Sequence, residues 1–265
     1  MKVEYNHFET VRRGYDGISI DEGECRGHLQ GAVKDNLLDR EEAQHTLDRL
    51  RALQSDTGFV ASDELMADIQ ALENANVSAQ QFRVGEAYAE VILEQAFTCR
   101  FHWNENRDAR NPKGNKTGAD LVGFIEIDNQ VLFLFGEVKT SSETATRPPQ
   151  VMTSGDGIEK QLRDLSADKQ KRSILIQYLS NKARHFPEGH QFRQDFDSGL
   201  RAYYSQSQDF HLVGVLVRDV PVDDYDVSLS YHKLKTQILE PNGLKLLALY
   251  LPIQKEEWLS IINGA

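Results

Sequence analysis

Thr117-Gly-Ala-Asp-Leu-Val-Gly-Phe-Ile-Glu-Ile-Asp-Asn-Gln-Val-Leu-Phe-Leu-Phe-Gly-Glu-Val-Lys-Thr140 is the stretch that decides the fold. It holds two apolar, β-prone runs, 121–127 and 131–135, joined by Asp128-Asn129-Gln130. Strand-forming runs on either side of a short polar turn predict a β-hairpin. Asp120 stands where the first strand begins, and Glu137, Val138 and Lys139 stand where the second ends. In an antiparallel pair the start of one strand lies beside the end of the other, so the hairpin alone carries Asp120 to Glu137 and Lys139. Residues i and i+2 of a strand point to one face, so Glu137 and Lys139 face the same way. Two carboxylates and an ammonium are thereby gathered at one edge. Hard divalent cations take oxygen ligands of this kind, and Mg²⁺ is commonly held by one or two carboxylates plus water and substrate phosphate.

An acidic residue at a strand start, followed by acidic-x-Lys at the end of its hairpin partner, resembles the PD-(D/E)XK superfamily of restriction-endonuclease-like nucleases. Ala119 stands where that family often has Pro. The resemblance covers roughly residues 82–180. It implies a Mg²⁺-dependent nuclease, with Mn²⁺ as a substitute, that cleaves DNA to leave a 5′ phosphate and a 3′ hydroxyl. Asp120 and Glu137 would hold the metal, the carbonyl of Val138 would be a further ligand, and Lys139 would orient the attacking water and stabilise developing charge. Lys139 could move a proton only if its surroundings lowered its pKa. A carboxylate from the preceding helix usually completes the family's site. Here Glu86 is the candidate, with Glu90 as the alternative on the same helical face.

More narrowly, the Gly-Ala-Asp strand start and Phe135-Gly-Glu-Val-Lys-Thr-Ser141 resemble HamA, the nuclease subunits of bacterial Hachiman anti-phage defence systems. That likeness implies a HamB-like helicase partner that restrains the nuclease until it is triggered. Two other readings remain open: a nuclease-like fold that serves as a catalytically silent assembly or sensor module, and a stand-alone restriction-type endonuclease that reads sequence itself.

The charge bears on that choice. With 41 acidic against 30 basic residues the net charge is −11. Nucleic-acid affinity comes largely from neutralised phosphates, so this balance argues against tight autonomous DNA binding. Either a local basic surface exists, or a partner supplies the affinity, or the acidity serves solubility alone. The polar stretch 104–117, with Arg107, Arg110, Lys113 and Lys116, runs straight into Asp120 and is the candidate phosphate-contacting loop; an ordinary solvated loop is the competing reading. No apolar run reaches membrane-spanning length, and no apolar signal region opens the chain, so a cytoplasmic protein without a membrane partner is expected. Cys25 and Cys99 are expected to be reduced thiols.

The length of 265 residues fits one large domain or a domain with an extension. The expected architecture is α/β, a central mixed sheet flanked by helices. A helical N-terminal extension spans 1–80 and the nuclease core with a C-terminal sheet extension spans 81–265. Within the extension, 1–32, with Gly14, Gly17, Gly23, Gly27 and Gly31, reads as irregular, and 33–54 and 62–74 read as helices. Leu37, Leu47 and Leu50 could serve a partner or pack on the core. The core reads as helix 82–97, strand 99–103, hairpin 119–139, helix 157–171, strand 173–179, helix 188–205, and strands 210–217 and 244–251. The segment 140–157 reads as a loop over the site or as a linker. Gln161, on the helix after the motif, is either a backbone contact to substrate or an exposed amide. His185, His190 and His211 lack ligand spacing, Trp103 and Trp258 read as core anchors, and Gly155-Asp-Gly157 as a plain turn.

Overall fold

The computed structural model describes residues 1–56, 59–104, 107 and 118–264. Its elements, in chain order, begin with strands β1 (Lys2–Thr10) and β2 (Arg13–Ser19). Helices α1 (Glu22–Gln30), α2 (Ala32–Leu38), α3 (Arg40–Gln54), α4 (Asp63–Glu73) and α5 (Gln81–Ala96) follow. Strands β3 (Cys99–Arg100), β4 (Leu121–Ile127) and β5 (Gln130–Ser141) lead into helices α6 (Gln150–Thr153), α7 (Ile158–Ala167), α8 (Lys169–Ala183) and α9 (Gln191–Tyr203). The chain ends with β6 (His211–Arg218), α10 (Ser228–Leu234), β7 (Gly243–Tyr250) and α11 (Trp258–Asn263).

The strands make one mixed sheet in the order β1-β2-β7-β6-β5-β4-β3. The middle, β2-β7-β6-β5, is parallel, and antiparallel pairs close both edges. Parallel strands are covered on both faces, which is why β6 and β7 read as nearly unbroken apolar runs. One face packs Leu132, Leu134 and Val138 of β5 against α1, α2, α5 and α11, with Trp258 fully buried among them. The other face packs Phe133 and Phe135 against α7, α8, α9 and α10. Each fully buried side chain of this size contributes roughly 1.5–3 kcal/mol of transfer free energy. The α/β class, the mixed sheet with its helical layers and a helical N-terminal region are therefore as expected. Among the described residues no helix is long and apolar enough to cross a membrane.

Three local expectations are corrected. Residues 2–19 are not irregular: they form the β1–β2 hairpin, which joins the sheet through β7. Gly14 and Gly17 answer crowding rather than a loop, because a Cβ at Gly17 would sit 2.3 Å from the Tyr5 ring and one at Gly14 2.3 Å from the His7 carbonyl. The run 173–179 is not a strand but the middle of α8; Arg172, Leu175, Ile176 and Leu179 are buried at helical spacing while Ile174 is 59% exposed. The helix expected over 33–54 is broken at Asp39, whose left-handed φ of 45° ends α2 and starts α3. Of the leucines considered for docking, Leu47 is buried and Leu37 packs on the core.

Candidate active site

The β4–β5 register sets the site. The turn needs only two residues, Asp128 and Asn129, both left-handed with φ of 52° and 60°, the conformation of a tight hairpin turn. Asp and Asn are the residue types that tolerate it after Gly. From Ile127↔Gln130 the ladder runs without a break to Leu121↔Gly136, so the next positions outward are Asp120 and Glu137. Strand β5 continues to Ser141 where β4 has already begun, leaving 137–141 paired only with β6. Alternation from Phe133 and Phe135 puts Glu137 and Lys139 on the face covered by α7.

Two contacts tie the group together. The Val138 backbone N–H donates to Asp120 Oδ2 at 3.0 Å, on the side where β4 has ended. In an extended strand a residue's C=O points the same lateral way as its N–H, so the Val138 carbonyl projects beside the two carboxylates. Lys139 Nζ lies 2.6 Å from Glu137 Oε1. Glu137 is only 5% exposed. Burial, and then the adjacent Asp120 charge, push its carboxyl up to about 7 against the pull of Lys139. For Lys139, burial alone would lower the pKa, but the hydrogen bond to Glu137 and the charges of Glu137, Asp120 and Asp156 raise it overall. Lys139 is therefore a held ammonium, and the lowered pKa that proton transfer would require is not met. Asp156, just before α7 and bonded to Ser154 Oγ at 2.8 Å, adds its charge on the same side.

Glu86 and Glu90 are placed differently. They lie on α5, which packs against the other face of the sheet. Glu86 is buried and paired with Arg83 at 3.0 Å, one turn away; Glu90 accepts from Asn36 Nδ2 at 3.1 Å. Among the described residues no three or more His, Cys, Asp or Glu side chains gather as a metal-holding group. The structure thus brings together Asp120, Glu137 and Lys139, with the Val138 carbonyl, and does not add either helical glutamate to them.

Elsewhere the other candidates resolve individually. Gln161 accepts from Lys171 Nζ at 3.3 Å. Arg107 is committed to Asp39 at 2.7 Å and to Glu41, and its guanidinium lies 5.0 Å from the Trp103 ring centre. Arg110, Lys113 and Lys116 lie outside the described residues. The imidazole of His190 accepts from Phe192 N and caps α9. Burial holds the His211 imidazole neutral, pushing its pKa down to about 3. Trp258 is a core anchor, whereas Trp103 is only partly buried. Cys25 and Cys99 are buried free thiols.

Two polar clusters had no signal in the sequence because their members come from different elements of the fold. Asp195, 1% exposed, receives Arg100 at 2.6 and 3.0 Å, His102 at 2.6 Å and Gln191 at 2.8 Å. Past the end of β5, Arg218 and Asp226 form a fully buried pair at 3.1 Å.

The donor set fits a hard divalent cation. Two oxygen-donor carboxylates face each other, and the buried one retains a proton near neutrality because burial, and then its charged neighbour, oppose its ionisation. A divalent ion would relieve that repulsion better than a proton does, and Mg²⁺ or Mn²⁺ is suited to two carboxylates, a carbonyl and water. No protein-family model matches the chain, and no curated protein matches it in sequence.

Proposed function

We propose that this protein is a metal-dependent nuclease that hydrolyses DNA phosphodiester bonds at the β4–β5 edge. The observation that carries the reading is the convergence of Asp120, Glu137 and Lys139 on one overhanging strand end, with Lys139 bonded to a carboxylate whose pKa is pushed up. A carboxylate perturbed by burial and by a specific charged neighbour is a candidate for a functional site. In this reading Asp120, Glu137 and the Val138 carbonyl hold Mg²⁺. When bound, the ion supplies charge relief at the scissile phosphate and a more acidic attacking water. The Lys139 ammonium faces the same space, orients that water and stabilises the negative charge that grows on the phosphate. As it is held protonated, it acts through its charge and its N–H donors and removes no proton.

The sequence likeness to the HamA nuclease subunits extends the proposal: this chain is the cutting subunit of an anti-phage defence complex with a HamB-like helicase. The net charge of −11 supports a division of labour in which the partner brings the DNA. The test is a cleavage assay on labelled DNA with the purified chain, alone and with the helicase encoded beside it, in Mg²⁺ and in EDTA. Mg²⁺-dependent cleavage by the pair supports both parts of the proposal. Cleavage by neither preparation rejects the nuclease, and full cleavage by the chain alone rejects the division of labour.

A further inference from the structure

All three groups that β5 contributes to the site, Glu137, the Val138 carbonyl and Lys139, stand on a strand end with a neighbour on one side only. Strand β4 has started by Leu121, opposite Gly136, so 137–141 hangs past it and pairs laterally with β6 alone. A strand supported on one side frays readily unless its end is tied. The tie is visible at the last register pair, Ser141↔Arg218. The Arg218 guanidinium turns back over the end of β5 and donates from Nη1 to the Ser141 carbonyl at 2.8 Å and from Nη2 to the Glu143 carbonyl. Its Nε is held by Asp226 at 3.1 Å.

The anchor is itself fixed. Asp226 is fully buried, accepts from Tyr250 Oη at 2.9 Å and pairs with Arg147. Glu143, whose carbonyl Arg218 holds, accepts from the Gln150 backbone N–H at 2.7 Å and so fixes the start of α6. That stretch leads on to Asp156, the third carboxylate whose charge reaches Lys139. A single side chain thus ties together the exit of the strand and the segment that returns to the site.

Energy makes the choice of residue informative. Arg218 and Asp226 are both 0% exposed. A fully buried ion pair is expensive to desolvate, and well-packed apolar residues of similar volume are often neutral or more stabilising in its place. The residues that precede it on β6, Val215, Leu216 and Val217, are apolar and buried. What an apolar residue could not do is hold two carbonyls of a neighbouring strand at fixed positions.

We propose that Arg218, anchored by Asp226, is the positioning residue of the site: it fixes the overhang of β5 so that Glu137, the Val138 carbonyl and Lys139 keep their geometry. This rests on the nuclease reading for its consequence but not for its first readout. The experiment compares the wild type with Arg218→Lys, which keeps the charge and loses the fork, and with Asp226→Asn, which keeps the shape and frees Arg218. Amide hydrogen exchange is followed across β5 and β7, Mn²⁺ binding is titrated, and kcat and KM are measured on DNA with whatever partner activity requires. Exchange at 138–143 is expected to quicken by at least about tenfold while 246–249 in β7 stays within about twofold, since local opening and global stability are separable. Mn²⁺ affinity and kcat are expected to fall by about tenfold or more with KM within about threefold, the pattern of lost transition-state positioning. Unchanged exchange at 138–143 in both variants overturns the proposal, as does uniform loosening of both strands. If exchange and Mn²⁺ affinity change as stated but the wild type does not cut DNA, the positioning role stands and the nuclease reading falls.

Discussion

Asp120 accepts a hydrogen bond from the backbone N–H of Val138 at 3.0 Å, so the first carboxylate of the site is fastened to the residue between the other two active groups. The bond replaces the ladder contact that β4 would have made had it begun earlier. It fixes Asp120 beside Glu137 without another element of the fold, and it explains why the hairpin register alone carries the site.

Cation affinity should depend on pH through Glu137. A carboxylate binds a metal only when deprotonated. With the Glu137 carboxyl pushed up to about 7, apparent Mn²⁺ affinity is expected to be about tenfold weaker at about pH 6 than at about pH 8, and nearly flat above that. Glu137→Gln should remove this step. Isothermal titration of both proteins checks it, and a wild-type affinity constant between those pH values contradicts it.

In the cation-free protein the same shift acts on stability with the opposite sense. The folded state binds the Glu137 proton more tightly than the unfolded chain does. Its contribution is therefore fully present below the ordinary value of 4.5 and is lost as pH rises through about 7. Thermal unfolding in EDTA should show Glu137→Gln gaining on the wild type across that window. A difference that stays constant across that window would mean that Glu137 is ionised throughout.

Lys139 should separate chemistry from cation binding. It bonds to Glu137 as an ammonium, so Lys139→Met removes a positive charge and no cation ligand. Cleavage is expected to fall by at least about a hundredfold, the scale of losing one preorganised donor, while Mn²⁺ affinity is unchanged or tighter once the pH is high enough to ionise Glu137, whose carboxyl rises further without Lys139. Cleavage at the wild-type rate by this variant would remove Lys139 from the mechanism.

The isolated chain should bind duplex DNA poorly. Its net charge is −11, and Arg107, described within the basic stretch before Asp120, is already committed to Asp39 and Glu41. A dissociation constant weaker than about 1 µM is expected at about 150 mM salt, where screening leaves few productive phosphate contacts. Tight binding with a steep salt dependence would show a basic surface that needs no partner.

What the sequence disclosed, and what it hid, follows from range. The β4–β5 hairpin was legible because both strands and their turn are contiguous, although Gln130, read as part of the turn, is the first residue of β5 and pairs with Ile127. Asp120, Glu137 and Lys139 came with it. The segment 173–179 misled because a short apolar run does not distinguish strand from buried helix; only the exposure of Ile174 between buried neighbours reveals the helical period. Gly14 and Gly17 looked like loop residues because the crowding that requires them comes from β1, across the hairpin. Glu86 sits on the expected helix, but only the layer order shows that α5 covers the face away from Glu137. Arg218 and Asp226 could not be paired with Ser141 in advance, since nothing local in either stretch points to the other.

The most direct test of the central claim is the rate of DNA cleavage in Mg²⁺ at about pH 8 by the wild type and by Glu137→Gln, each with the partner it requires and each shown to be folded by its unfolding transition. The substitution keeps the shape of the side chain and removes the charge that a divalent ion needs. The account predicts Mg²⁺-dependent cleavage by the wild type and a loss of at least about a hundredfold in the variant, the scale on which such sites depend on their metal. Cleavage by Glu137→Gln within about twofold of the wild type, well inside the error of such an attribution, would contradict it.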